Sequence, residues 1–224
     1  MPARPRALSR LGRREALSED RRSVLLVDFG GVLTTSVHDA LRAFSADIGG
    51  DRELVLRLLA SDAASAKLLV ESETGRLDDE GFERGFAARL AAYGVRVRAR
   101  GLLARMRTGG SPDHEMVVAL ARMRAGGVPV AIVTNRLGRD CYDGFDLEAL
   151  ADVVVISSEV GVRKPSRRIY SIACERLGVA PESCVMVDDL QHNLDGAARL
   201  GIAGVLHRTA AQTIRELDQR FGMR

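Results

Sequence analysis

Tryptophan is absent from the 224 residues, and aromatic residues make up only 4% of them. A chain so poor in ring faces offers few platforms on which nucleic-acid bases could stack. Cysteine is scarce too. Cys141, Cys174 and Cys184 are too few and too scattered for a disulfide framework, and none has the CxxC spacing of a structural zinc site. The expectation is a reducing, cytoplasmic setting. No apolar run approaches the roughly 20 residues of a membrane-spanning helix, and the longest, such as Val153–Ile156, have the length of strands. No membrane partner is expected. The opening residues lack the apolar centre of a secretory signal, and Glu15, Glu19 and Asp20 argue against an organellar transit peptide.

Acidic charge is in slight deficit, and the deficit is local. Residues 1–22 hold seven arginines against three acids, which leaves 26 basic and 27 acidic residues for the rest of the chain. A stretch of that composition predicts a solvated, weakly ordered arm. The remainder, close to neutral, gives no reason to expect nucleic-acid binding by the folded core.

What the sequence does have is a rhythm of short apolar runs and amphipathic stretches. Ser23–Val27 is wholly apolar after its first residue and stops at Asp28-Phe29-Gly30-Gly31, as suits a central parallel strand. Val128–Val133, Val153–Ile156, Cys184–Val187 and Ala203–Leu206 repeat the pattern. Helical periodicity lies between them. One helix is expected to open at Ser111-Pro112, with Ser as cap and Pro in the first turn, and to stop at Gly126-Gly127. Others span Ser166–Leu177, ending at Gly178, and Asn193–Leu200, ending at Gly201. Such alternation predicts an α/β fold with a doubly wound parallel sheet. The stretch 37–110 breaks it, reading as helices over Asp39–Ile48, Asp51–Leu59, Ala63–Glu71 and Asp78–Tyr93. Phe44, Leu54, Leu58, Phe82, Phe86 and Leu90 would form its own core. The expected organisation is an Arg-rich arm (1–22), a core (23–36 and 111–224) and a small all-helical cap (37–110) inserted after the first strand.

Four elements end an apolar strand, or follow one, with polar groups: Asp28, Thr134-Asn135, Lys164 and Asp188-Asp189. In a parallel sheet the carboxyl ends of the strands share one edge, so these residues would converge in one crevice. Adjacent carboxylates at a buried strand end resist ionisation unless a cation offsets them. Lys164 stands out for a different reason. Only Lys67 and Lys164 are lysines among 33 basic residues, so a chain that uses Arg nearly everywhere keeps a compact ammonium here. Together the set suggests phosphoryl transfer. Asp28 would attack phosphorus and form an aspartyl-phosphate. Mg²⁺ would bridge Asp28 and the Asp188-Asp189 pair. Thr134 and Asn135 would bind the transferred group, with Lys164 stabilising its charge.

These residues also carry a likeness. Val27-Asp28-Phe29-Gly30-Gly31-Val32-Leu33, Ile132-Val133-Thr134-Asn135, Arg163-Lys164-Pro165 and Val187-Asp188-Asp189 with Asn193 and Gly196-Ala197 resemble, in order and spacing, the four motifs of the haloacid dehalogenase-like superfamily. The segment 73–82 resembles the cap pattern of the subfamily with a small helical insert. The resemblance implies a Rossmann-like core, a mobile cap, Mg²⁺ as cofactor and, for most members, a small phosphorylated metabolite as substrate. It also implies that the backbone carbonyl of Gly30 ligates the metal.

One position departs from the pattern. Phosphatases of the family usually carry a second aspartate two residues after the nucleophile, serving as general acid and base, and here that residue is Gly30. Members similar to sugar-phosphate phosphatases share this glycine. Asp189, His38 and His192 are the candidates to take over the proton. Gly30 and the basic arm also keep open a second reading, a family member of little or no activity that binds a phospho-ligand or a protein. A 2-haloacid dehalogenase is a minor third, because it leaves the Asp188-Asp189 pair without a purpose.

Overall fold

The apolar runs become five strands of one parallel sheet in the computed structural model, which describes residues 23–108 and 110–223. The Arg-rich arm of residues 1–22 lies outside the described residues. Strand β1 is Val24–Val27, β2 Val130–Thr134, β3 Val153–Ile156, β4 Cys184–Asp188 and β5 Ala203–Leu206. Their order is β3-β2-β1-β4-β5, every neighbouring pair parallel. All four residues of β1 are buried, as expected for a strand covered on both faces. Alternate residues serve opposite layers. Leu25, Val27, Ile132 and Val187 join one core cluster, while Leu26, Ala131, Val133 and Met186 join the other.

Among the described residues, five helices fill the stretch 37–110 that follows β1: α1 (Val37–Asp47), α2 (Leu54–Ser61), α3 (Ala63–Glu73), α4 (Asp79–Ala92) and α5 (Leu102–Met106). They bury a separate cluster that includes Phe44, Leu54, Leu58, Phe82, Phe86 and Leu90, the six residues whose spacing suggested a core. The all-helical cap after the first strand is therefore present. Side-chain caps at Ser36, Asp62 and Asp78 start α1, α3 and α4.

Helix α6 (His114–Ala125) begins later than its sequence suggests. Asp113 is its cap, accepting from the Met116 amide at 3.0 Å. Pro112 instead forms an antiparallel bridge with Thr34, where the chain returns from cap to core. A carboxylate one step further on outcompeted the Ser-Pro signal. The core is completed by a 3₁₀ turn (Arg139–Tyr142), α7 (Leu147–Leu150), α8 (Ser157–Val160), α9 (Arg167–Leu177), α10 (Gln191–Ala198) and α11 (Ala210–Phe221). No described helix is long and apolar enough to cross a membrane.

The strand order fixes where chemistry can sit. The chain leaves β1 toward β2 and β3, then returns to the other side of β1 for β4, so the crevice at the switch opens beyond the carboxyl ends of β1 and β4. Asp28 and Asp188 stand at those two ends.

Candidate active site

Asp28 follows the last residue of β1, and its amide donates to the Val187 carbonyl of β4 at 2.9 Å. This bond holds the first turn after β1 against the neighbouring strand. Asp28 Oδ1 accepts from the Phe29 amide at 2.7 Å and lies 2.6 Å from Lys164 Nζ. The same ammonium reaches Asp188 Oδ2 at 2.7 Å. Lys164 is 1% exposed, Asp28 6% and Asp188 0%, so this bridge is shut away from water. Burial pushes the Asp28 carboxyl up to about 8; Lys164 pulls against that rise, and the Asp188 carboxylate adds to it. For Lys164 burial acts downward, but the two carboxylates outweigh it and hold the ammonium above its ordinary value.

Asp188 has further support. Its Oδ1 accepts from the Leu190 amide and from the Asn193 side chain, each at 2.9 Å. Asn193 is itself fixed, since the Tyr170 hydroxyl of α9 donates to its carbonyl at 2.7 Å. Asp189 completes the group: ligand atoms from Asp28, Asp188 and Asp189 all lie within 4.8 Å of one another. Burial and the neighbouring Asp188 raise the Asp189 carboxyl, and Lys164 and His38 oppose them. Three carboxylates against one ammonium leave negative charge in a confined space. Hard oxygen donors in that arrangement suit a hard divalent cation such as Mg²⁺.

Thr134 and Asn135 end β2 beside this group. Thr134 is buried, and its Oγ1 accepts from the Tyr142 hydroxyl at 3.3 Å. Asn135 differs from the expectation that it binds the transferred group. Its Oδ1 accepts from the Lys164 amide at 2.8 Å and its Nδ2 donates to the Lys164 carbonyl at 3.2 Å. Both ends of the amide grip the Lys164 backbone, which makes Asn135 a brace for the lysine. Gly30 is half-buried, and a Cβ there would stand 3.0 Å from Val37 Cγ2 of α1. Of the three proton carriers considered, Asp189 belongs to the carboxylate group, His38 lies within its electrostatic reach, and His192 is exposed on α10.

The segment that resembles the family's cap pattern, 73–82, lies at the seam between cap and core. Glu73, the last residue of α3, is buried, with Oε2 2.8 Å from Arg163 Nε. Burial pushes its carboxyl up to about 7, against the attraction of Arg163 and Lys164. Its carbonyl accepts from Ser157 Oγ at 2.5 Å. Gly75 lies directly on the Ser158 carbonyl with φ +72°, a place and a conformation that leave no room for a side chain. Arg163 Nε also donates to the Lys164 carbonyl at 3.1 Å, so the cap is wired to the lysine's own backbone. The helix expected over Ala63–Glu71 runs on to Glu73, and the burial of its carboxyl is what the spacing of residues does not reveal.

Comparison with known proteins agrees with this geometry. Residues 23–201 match the profile described as haloacid dehalogenase-like hydrolase. The phosphoserine phosphatase of Thermus thermophilus is 37% identical over 166 residues, covering 74% of this chain and 57% of that protein. The chain spans only 10%, 49% and 22% of the length of three other curated relatives: an acyl-CoA dehydrogenase family member of mouse, a Mycobacterium tuberculosis phosphatase and a bifunctional epoxide hydrolase of rat. Among solved structures, a HAD family enzyme of Bacteroides thetaiotaomicron in its magnesium complex superposes with a TM-score of 0.65 at 20% identity, covering 84% of this chain and 94% of that one. A HAD-like family hydrolase of Porphyromonas gingivalis gives 0.66 at 19%, covering 88% and 98%. These two speak for the fold. With the profile spanning most of the chain and the four motifs meeting at one sheet edge, the protein belongs to the haloacid dehalogenase-like hydrolases.

Proposed function

We propose that this hydrolase is a Mg²⁺-dependent phosphatase of small phosphorylated metabolites, working in a reducing cytoplasm through an aspartyl-phosphate at Asp28. The observation that carries the reading is the convergence of Asp28, Asp188 and Asp189 within 4.8 Å, with Lys164 Nζ bridging the first two. A dehalogenase that attacks carbon needs no such concentration of carboxylates. The relatives support the reading by name, one being a phosphoserine phosphatase and another a phosphorylated carbohydrates phosphatase.

Asp28 Oδ1 is committed to Lys164 and to the Phe29 amide, which leaves Oδ2 as the attacking oxygen. Oδ2 bonds to phosphorus, the bond from phosphorus to the leaving oxygen breaks, and the departing alcohol takes up a proton. Water then attacks the aspartyl-phosphate at phosphorus, releasing inorganic phosphate and restoring the carboxylate. Asp28, Asp188, Asp189 and the Gly30 carbonyl would hold Mg²⁺, which supplies charge that favours the ionised nucleophile and offsets the phosphoryl oxygens. Lys164 stabilises the same charge from its fixed position, and the Thr134 hydroxyl donates to the transferred group. Asn135 and Asn193 keep the lysine and Asp188 in place.

The second reading, a phospho-ligand or protein-binding module without useful turnover, is favoured by one observation: position 30 carries no acid. The two separate in a single assay. A panel of phosphomonoesters with and without Mg²⁺ is expected to release phosphate only with the metal, and Asp28→Asn to abolish release. Ligand binding without release by the unmodified protein would instead establish the binding module. Chloride release from 2-haloacids without metal would establish the dehalogenase.

A further inference from the structure

Among the described half-buried arginines, Arg42, Arg89, Arg124 and Arg163 meet the carboxylates of Glu53, Asp62, Asp152 and Glu73, and Arg105, which has no carboxylate, donates to the Arg98 carbonyl away from the site. Arg107 and Arg136 are also half-buried, and among the described residues neither has a carboxylate within 4.0 Å. Arg107 caps the end of α5, on the strand of chain returning from cap to core, and Arg136 follows Asn135 in the core. The two guanidiniums lie within electrostatic reach of the same thiol, Cys141, which sits against Tyr142. The Tyr142 hydroxyl in turn reaches Thr134 at 3.3 Å. Both guanidiniums also hold the loop that follows β2, Arg107 at Leu137 and Arg136 at Gly138, and this loop leads to the Tyr142 that reaches Thr134.

Their anchoring uses few of their donors. Arg107 Nη1 donates to the Leu137 carbonyl at 3.3 Å; Arg136 donates through Nε to the Gly138 carbonyl and through Nη1 to Ser158 Oγ, both at 3.2 Å. Each guanidinium carries five N–H groups, so most remain available. The approach of Arg107 is close: a Cβ on Gly138 would stand 2.9 Å from Arg107 Nη1. Two fixed, uncompensated guanidiniums are costly to bring out of water unless an anion joins them, and a planar fork suits a carboxylate or phosphate.

We propose that Arg107 and Arg136 form an anion subsite beside the phosphoryl pocket, so that the preferred substrate is a phosphomonoester bearing a second acidic group. This rests on the phosphatase reading for the first group and on the two arginines for the second. Because one arginine comes from the cap side and the other from the core, the second acid group ties the two together over the site.

Matched pairs of compounds test it. O-phosphoserine differs from O-phosphoethanolamine by a carboxylate, and glucose 1,6-bisphosphate differs from glucose 1-phosphate by a phosphate. With Mg²⁺, the doubly acidic member of at least one pair is expected to show kcat/KM about 10- to 100-fold higher, the range of charge-assisted hydrogen bonds, and which pair responds identifies the acid. Arg107→Met and Arg136→Met should each pull that ratio toward one, with Arg107→Lys keeping part of it. A ratio is insensitive to partial loss of folded protein. Equal values within both pairs, or ratios that survive both substitutions, overturn the subsite. If no monoester is turned over, the phosphatase reading falls, and calorimetric binding of the same pairs to the Mg²⁺-loaded Asp28→Asn protein then decides the subsite by the same criterion.

Discussion

Lys164 Nζ stands 2.6 Å from Asp28 Oδ1 in a site from which water is nearly excluded. The contact is the hinge of the electrostatics, because the same ammonium also serves Asp188 at 2.7 Å. Lys164→Met would leave two buried carboxylates without their counter-charge. The expected cost is about 3–5 kcal/mol in chemical denaturation, together with loss of turnover. Added Mg²⁺ should recover part of that stability, since it meets the same oxygens. Lys164→Arg should not restore turnover, because a planar fork does not fit between two carboxylates that share one compact ammonium. A Lys164→Met protein as stable as the parent would contradict the account.

Asn193 acts one step away. Asn193→Ala removes one of two hydrogen bonds to Asp188 Oδ1 and leaves the one from the Leu190 amide. Loss of such a supporting bond weakens metal affinity by about 10- to 100-fold. Calorimetric titration with Mg²⁺ measures this, and an unchanged affinity would remove Asp188 from the metal set.

Glu73 gives a prediction in pH. Its carboxyl ionises near the usual value when unfolded and near 7 when folded. As pH rises from about 4.5 toward 7, the unfolded chain therefore loses a proton that the folded chain still holds, and stability falls. Below that window both states are protonated, above it both are ionised, and Glu73 contributes no slope. Denaturation midpoints of the parent and of Glu73→Gln, measured from pH 4.5 to 8, should converge in slope only above about 7. Parallel curves throughout would mean that the pairing with Arg163 keeps Glu73 ionised across the range.

Much of this was legible in the sequence because strands and their ends obey local rules. A run such as Val24–Val27, apolar on both faces and stopped by Asp-Phe-Gly-Gly, has few other places to go than the middle of a parallel sheet. Once the strands are parallel, Asp28, Thr134 and Asp188 must share an edge. Lys164 betrayed itself as a lysine in a chain of arginines. The rest depends on which way side chains turn and on what covers them. Asn135 turned to the Lys164 backbone, which no pattern of spacing reveals. Glu73, Tyr142 and Arg107 matter only through packing between segments that are remote in sequence. The start of α6 differs from its sequence pattern because Ser111 and Asp113 are competing caps, and the bridge of Pro112 to Thr34 decides between them. Helix α11 escaped for a related reason. Its buried face consists of Ala210, Thr213 and Leu217, too thin a stripe to stand out.

The central claim is that Asp28 becomes phosphorylated. Rapid quenching of the Mg²⁺-loaded protein with a substrate found in the phosphatase panel, followed by borohydride reduction and mass spectrometry of the peptide around residue 28, measures it directly. An acyl-phosphate there is reduced to homoserine, so the account predicts homoserine at position 28 that appears only with substrate and Mg²⁺ and is absent from Asp28→Asn. Full turnover with an unmodified Asp28 peptide at every quench time would contradict it.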